Sequence, residues 1–184
     1  MKTATTALER SAIVLASLAL SIGLIALLSG YFAGRDRADV TGAVAGPGQA
    51  FADLGHAVLR PGQRRPVYDS DPPTSGAHVP KPVFADNAPL NDDQLLSALQ
   101  TGNVVILYGG HMAPAGLPSL ARALAPPFSR ALADAGQAVI MARRAGTTGL
   151  IGLAWAHMVR VSAPTDPPLR SFVNFWLGRG ATTR

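Results

Sequence analysis

Few side chains in this sequence can do chemistry, and they are widely spaced. Histidine occurs four times, at His56, His78, His111 and His157, and cysteine is absent. Without cysteine there are no disulfides, no thiol catalysis, no lipid attachment through an N-terminal Cys and no cysteine-ligated metal. Two histidines precede a methionine, His111-Met112 and His157-Met158, and an imidazole beside a thioether suits Cu(I). On a strand, His157 and Met158 point to opposite faces and cannot chelate one ion together. His157 is therefore expected to be a hydrogen-bonded, half-buried side chain. His111-Met112 follows an apolar run through Gly109-Gly110, at the carboxyl end of an expected strand, where open α/β sheets build sites. The leading expectation is no cofactor; copper held by His78, His111 and Met112 is the alternative.

Ser75 and His78 have the types of a nucleophile and a base, but no Gly-x-Ser-x-Gly elbow surrounds Ser75. The competing reading is a Pro-initiated turn at Pro72-Pro73 in which the Thr74 and Ser75 hydroxyls bond local backbone amides. Asp69, Asp71, Asp86, Asp92 and Asp93 lack the alternating spacing and central Gly of a calcium loop and read as structural. Asp92-Asp93 in particular suit a helix N-terminus.

The positions that could act must be carried by one domain and an appendage, since the chain has 184 residues. Charged residues make up 15% and the formal charge is +5, which speaks against an arginine-rich nucleic-acid binder. Mean hydropathy is +0.22, and its source is one segment. No charged residue occurs from Ser11 to Gly34, and at ~1.5 Å per residue the run reaches roughly 36 Å, enough to cross a bilayer core. Tyr31 and Phe32 stand where an interfacial aromatic belt belongs. The run exceeds the apolar region of a cleavable signal peptide, and the best Ala-x-Ala match, Ala43-Val44-Ala45, lies well beyond it. Residues 1–34 are thus expected to anchor the chain in the lipid bilayer as a single-pass helix. The short head favours a cytoplasmic N-terminus and a C-terminal domain outside the cytoplasm. Residues 35–50, small, polar and Gly-rich, read as a flexible linker, and 51–184 as the folded domain.

Within that domain, Pro-rich residues 60–89 read as ordered loop or short strands. Asn91 with Gln94 matches a capping box, Leu95, Leu96 and Leu99 share a helix face, and Gly102 is the stop. Val104–Tyr108 is a strand apolar on both faces, and Ala138–Ala142 a second. Leu117, Leu120, Leu124, Phe128 and Leu132 follow helical spacing, interrupted by Pro126-Pro127. Arg143–Gly149 is expected to turn the chain into one further strand, Leu150–Val161. Asp166 caps a last helix with Pro167 in its first turn. The fold class is α+β: a transmembrane helix followed by a small mixed β-sheet packed with helices, with one β-α-β crossover and a hairpin. Leu99, Val105, Ile106, Leu120, Ile140, Trp155, Phe172 and Trp176 are expected in one core. A thioredoxin-like arrangement shares this element order, but its Cys pair cannot exist here.

The most distinctive stretch is Tyr68 to His78, with Pro72-Pro73-Thr74-Ser75-Gly76-Ala77-His78. It resembles the hallmark of the bacterial family known as domain of unknown function 3105, whose members look like membrane-anchored chains with one extracytoplasmic domain. The similarity runs from about Phe51 to Leu177 and takes in Ala154-Trp155. In the family pattern the helix before the first long strand reads His-x-Leu-Glu-His-Gly, which implies two histidines on one helix face able to hold a metal with the counterpart of His78. Here that stretch is Ser97-Ala98-Leu99-Gln100-Thr101-Gly102. Ser97 and Thr101 replace the histidines and Gln100 the glutamate, poor ligands by comparison with imidazole. The resemblance thus implies a degenerate family site and a non-enzymatic binding or accessory module. Its partner would be an envelope protein, with no nucleic acid involved.

Overall fold

The computed structural model describes residues 45–60 and 62–181. The expected anchor, residues 1–34, and most of the expected linker lie outside the described residues. Among the described residues no helix is long and apolar enough to cross a membrane.

Among the described residues six strands form one mixed sheet. They are β1 (Gln49–Ala50), β2 (Ala88–Pro89), β3 (Val104–Tyr108), β4 (Val139–Arg143), β5 (Leu150–Ala154) and β6 (His157–Val161). The sheet order is β1-β6-β5-β3-β4-β2. β3 and β4 are parallel, with Val105 opposite Ile140, as their helical crossover requires. β5 runs antiparallel to both its neighbours, β3 and β6. Helix α1 (Asp92–Thr101) begins with the expected reciprocal box, the Asn91 side chain accepting from the Gln94 amide and Gln94 returning the bond. It ends at Gly102, whose φ of 110° only glycine adopts readily. Pro126-Pro127 divide the next helical stretch into α2 (Leu117–Leu124) and α3 (Arg130–Asp134). Helix α4 (Pro167–Trp176) closes the chain.

The sheet separates two cores, where one was expected. Leu99, Val105, Ile140 and Trp155 pack on the face covered by α1. Ile106, Leu120, Phe172 and Trp176 pack on the face covered by α2 and α4. All eight residues are buried. Cover on both faces is why β3 is apolar at every position.

The single strand expected over Leu150–Val161 is two strands, β5 and β6, turned at Trp155-Ala156 with Ala156 at φ 57°. The turn changes the alternation. Leu153 and Trp155 face α1, whereas His157 stacks on Trp176 of α4 at 3.8 Å between ring centroids. Met158 does point away from His157, into the α1-side core. Arg143–Gly149 consequently makes no hairpin; it carries the chain past the end of β3, from β4 on one side to β5 on the other.

Two further expectations change in detail. The Asp166 carboxylate turns back to accept from the Ser162 and Ala163 amides and makes no bond into α4, whose first two residues are prolines without N–H groups. The folded unit also includes residues 46–50, the last part of the stretch read as linker. Pro47 O accepts a 2.8 Å bond from the Trp176 indole, β1 pairs with His157 and Met158, and any Cβ on Gly46 would collide with Trp176 and Phe175.

Candidate functional site

The Pro-Pro-Thr-Ser-Gly-x-His stretch wraps the α1-covered face as a loop held at almost every residue. Thr74 and Ser75 are fully buried. The Ser75 hydroxyl donates to Ala52 O at 2.9 Å and accepts from Leu54 N–H at 3.1 Å. Its partners are thus not the local amides expected but a segment more than twenty residues upstream. Thr74 does bond locally, to the Ser70 hydroxyl at 3.2 Å, while its carbonyl takes the Ala156 amide at the β5–β6 turn. The Tyr68 hydroxyl donates to Ala77 O, and its ring fills the space over Gly76. Arg144 bridges Asp71 at 2.7 Å and Asp92 at 3.0 Å, and Arg160 donates to Asp71 O. Ser75 is therefore a strut between two loops, with both hydroxyl functions engaged.

His78 is buried, with 1% of its surface exposed. Its Nδ1 lies 2.9 Å from Gly76 O, so the proton sits on Nδ1. Its backbone bridges to Val58, and among the described residues Nε2 has no hydrogen-bond partner. His111 and Met112 occupy the exposed loop after β3, Met112 being 82% exposed. No described hydrogen bond or ring contact joins these two to His78. Among the described residues no three His, Asp or Glu side chains are grouped so as to hold a metal.

Beside α1 lies a groove of about 370 Å³, and Ser97, Gln100 and Thr101, the three positions expected to be degenerate, line it. Val58, Pro80, Pro82, Val83, Ala98 and Ala133 supply its apolar wall. Ser97 and Thr101 have structural employment here. The Ser97 Oγ accepts the Lys81 amide at 2.9 Å and fixes the 80–83 segment against the helix. The Thr101 hydroxyl donates back to Ala98 O and accepts from Asn103. Asn103 itself is buried and ties three elements together: its amide NH₂ reaches Ala98 O, Thr101 Oγ1 and Ala133 O, and its Oδ1 takes the Ala138 amide. Nothing in the sequence analysis singled out Asn103. The available signal was a lone amide side chain between a helix-ending glycine and a wholly apolar strand, a place where backbone groups need partners.

At the other end of α1, Asp93 is a buried carboxylate in an ion cluster. Arg65 Nη2 donates to its Oδ2 at 2.7 Å, Lys81 Nζ lies 3.1 Å from the same oxygen, and Val79 N–H reaches Oδ1. Burial pushes this carboxyl up, but the Arg65, Val79 and Lys81 hydrogen bonds outweigh it, and its pKa is lowered to about 2. Arg65 and Arg144 are both ion-pair partners of aspartates. All five candidate calcium aspartates accept hydrogen bonds from the protein itself. A smaller polar group sits at the opposite edge of the sheet. There Asp86, raised in pKa by burial, accepts the Met141 amide, and the Tyr108 hydroxyl lies 3.4 Å from Asn87.

The motif loop, the helix that ends in Gly102 and the apolar β3 all lie within the stretch matched by one family model. The family model described as "Protein of unknown function (DUF3105)" matches residues 62–183. The chain belongs to this family. No curated protein and no solved structure matches the chain. The DUF3105 match spans both the Tyr68–His78 loop and the α1 positions Ser97, Gln100 and Thr101.

Proposed function

We propose that this DUF3105 member is a membrane-tethered, non-enzymatic binding module. Residues 11–34 hold it in the bilayer, its N-terminus is cytoplasmic, and its folded domain works outside the cytoplasm through the groove beside α1. The observation that carries the reading is the use of Ser97 and Thr101. The Ser97 Oγ accepts the Lys81 amide and the Thr101 Oγ1 accepts from Asn103, at positions where the family pattern implies a pair of histidines. Ser75, the residue of the motif weighed as a nucleophile, has both hydroxyl functions engaged. What the groove keeps is shape and a few polar groups, which is what recognition needs.

Two measurements test this. Alkaline phosphatase fused after Arg184 is expected to be active; activity of a cytoplasm-only reporter at that point reverses the topology. Titrated with Zn(II), the full chain is expected to bind no tighter than a surface of scattered histidines. Tight zinc binding that survives His78→Ala refutes the degenerate-site reading. Stoichiometric Cu(I) binding abolished by Met112→Leu replaces it with the copper site of His78, His111 and Met112.

A further inference from the structure

The groove beside α1 combines an apolar wall with hydrogen-bond donors that the fold leaves unused. Ser97 Oγ accepts from Lys81 N–H, and its own hydroxyl hydrogen meets no acceptor among the described residues. The Gln100 side-chain amide makes no hydrogen bond among the described residues and stands at the groove wall. The Lys81 ammonium, also at the wall, gives one contact to Asp93 and keeps further N–H groups facing outward. Arg65 shares that same carboxylate, so Arg65, Asp93 and Lys81 together leave one positive charge at this rim. The one acid lining the groove, Asp134, already holds Arg130 through both of its oxygens.

Donors and a net positive charge along its α1 rim, with prolines, valines and alanines on the wall, select a ligand that is anionic on one side and apolar on the other. A volume of about 370 Å³ is at the small end of ligand sites and admits a compact molecule rather than a folded partner. We propose that the groove binds a small carboxylate with a short hydrocarbon body. Its carboxylate accepts hydrogen bonds from Ser97, Gln100 and Lys81, and its chain lies along Val58, Pro80, Pro82, Val83 and Ala133. The proposal rests on the binding-module reading and deepens it by naming the ligand class.

The probe is hexanoate, with hexanol and hexylamine of equal chain length as controls. Binding to the full chain in lipid nanodiscs is read by saturation-transfer NMR, with empty discs as the blank. Hexanoate is expected to bind, and hexanol and hexylamine to bind at least tenfold more weakly. Gln100→Leu keeps the side-chain bulk and removes one donor, and it is expected to raise the hexanoate Kd about tenfold, the value of one hydrogen bond to a charged group. Lys81→Met is expected to weaken hexanoate at least as much while leaving hexanol unchanged. Unchanged Trp fluorescence and thermal unfolding of Gln100→Leu establish that the fold is intact. Equal binding of hexanoate and hexanol, tighter binding of hexylamine, or hexanoate binding indifferent to both variants overturns the proposal. So does the absence of any binding, and if the topology and zinc results stand at the same time, the module reading survives without this ligand.

Discussion

Asp93→Asn is expected to lower the unfolding free energy by about 2–3 kcal/mol at pH 7 and by almost nothing at pH 2. The native carboxyl has a pKa of about 2 against an ordinary 3.8. A depressed native pKa contributes stability above the unfolded value, and that contribution drains away as pH falls from about 4 toward 2. A shift of nearly two units corresponds to about 2 kcal/mol when complete. Losing the charge also strands Arg65 and Lys81, yet their side chains are 43% and 47% exposed. Water takes over much of their solvation, which keeps the cost below the ~3–5 kcal/mol of breaking a fully buried pair. The measurement is urea unfolding of both proteins at several pH values. A stability gap that stays constant from pH 7 to pH 2 would show that the carboxylate's charge is not what holds the 79–83 segment on α1.

Phe172→Ala is expected to cost more, about 3–5 kcal/mol, a large part of the ~5–15 kcal/mol by which a single domain is stable. Phe172 is completely buried between α4 and the sheet. It leans on Trp176, and its ring packs where Gly48 and Gly152 have no side chains. Removing it leaves a void bordered by the backbone of β5 and of Gly48 just before β1, which cannot collapse far. The denaturant midpoint should fall with little change in slope. A loss below 1 kcal/mol would mean that α4 does not close the second core.

The parts of the fold legible in the sequence were those with local causes. The Asn91–Gln94 box, the Gly102 stop, the apolar β3 and the break at Pro126-Pro127 each follow from residues a few positions apart. The β5–β6 turn was hidden because its two residues are Trp155 and Ala156. A tight hairpin ordinarily advertises itself with Asn-Gly or a similar pair, and here a positive φ falls on an alanine. The two cores were merged for a related reason. An apolar run covered on both sides reads the same whether its alternate residues meet one layer or two. At the candidate site, Ser97, Gln100 and Thr101 could be picked out in the sequence, but not what those side chains do. Ser75 bonds Ala52 and Leu54, and Asn103 bonds Ala133 and Ala138. Such contacts join segments 21 to 35 positions apart, beyond the reach of any spacing rule.

The attachment of residues 46–58 to the rest of the domain decides where the protein can be cut. The family match begins at residue 62, an inviting place to start a soluble fragment. Such a fragment would lose Pro47 O, the acceptor of the Trp176 indole, and Asp53, the acceptor of the Trp155 indole. It would also lose both partners of the Ser75 hydroxyl and the Val58 side of the bridge to His78. Two tryptophans and a serine would then lose their partners together with the chain that covers them, each lost hydrogen bond costing about 1 kcal/mol before the uncovered apolar surface is added. Recurrence of sequence marks the segment by which relatives are recognised; hydrogen bonding marks the smaller set of truncations that still yield a folded, expressible protein, and for this chain those begin upstream of Gly46.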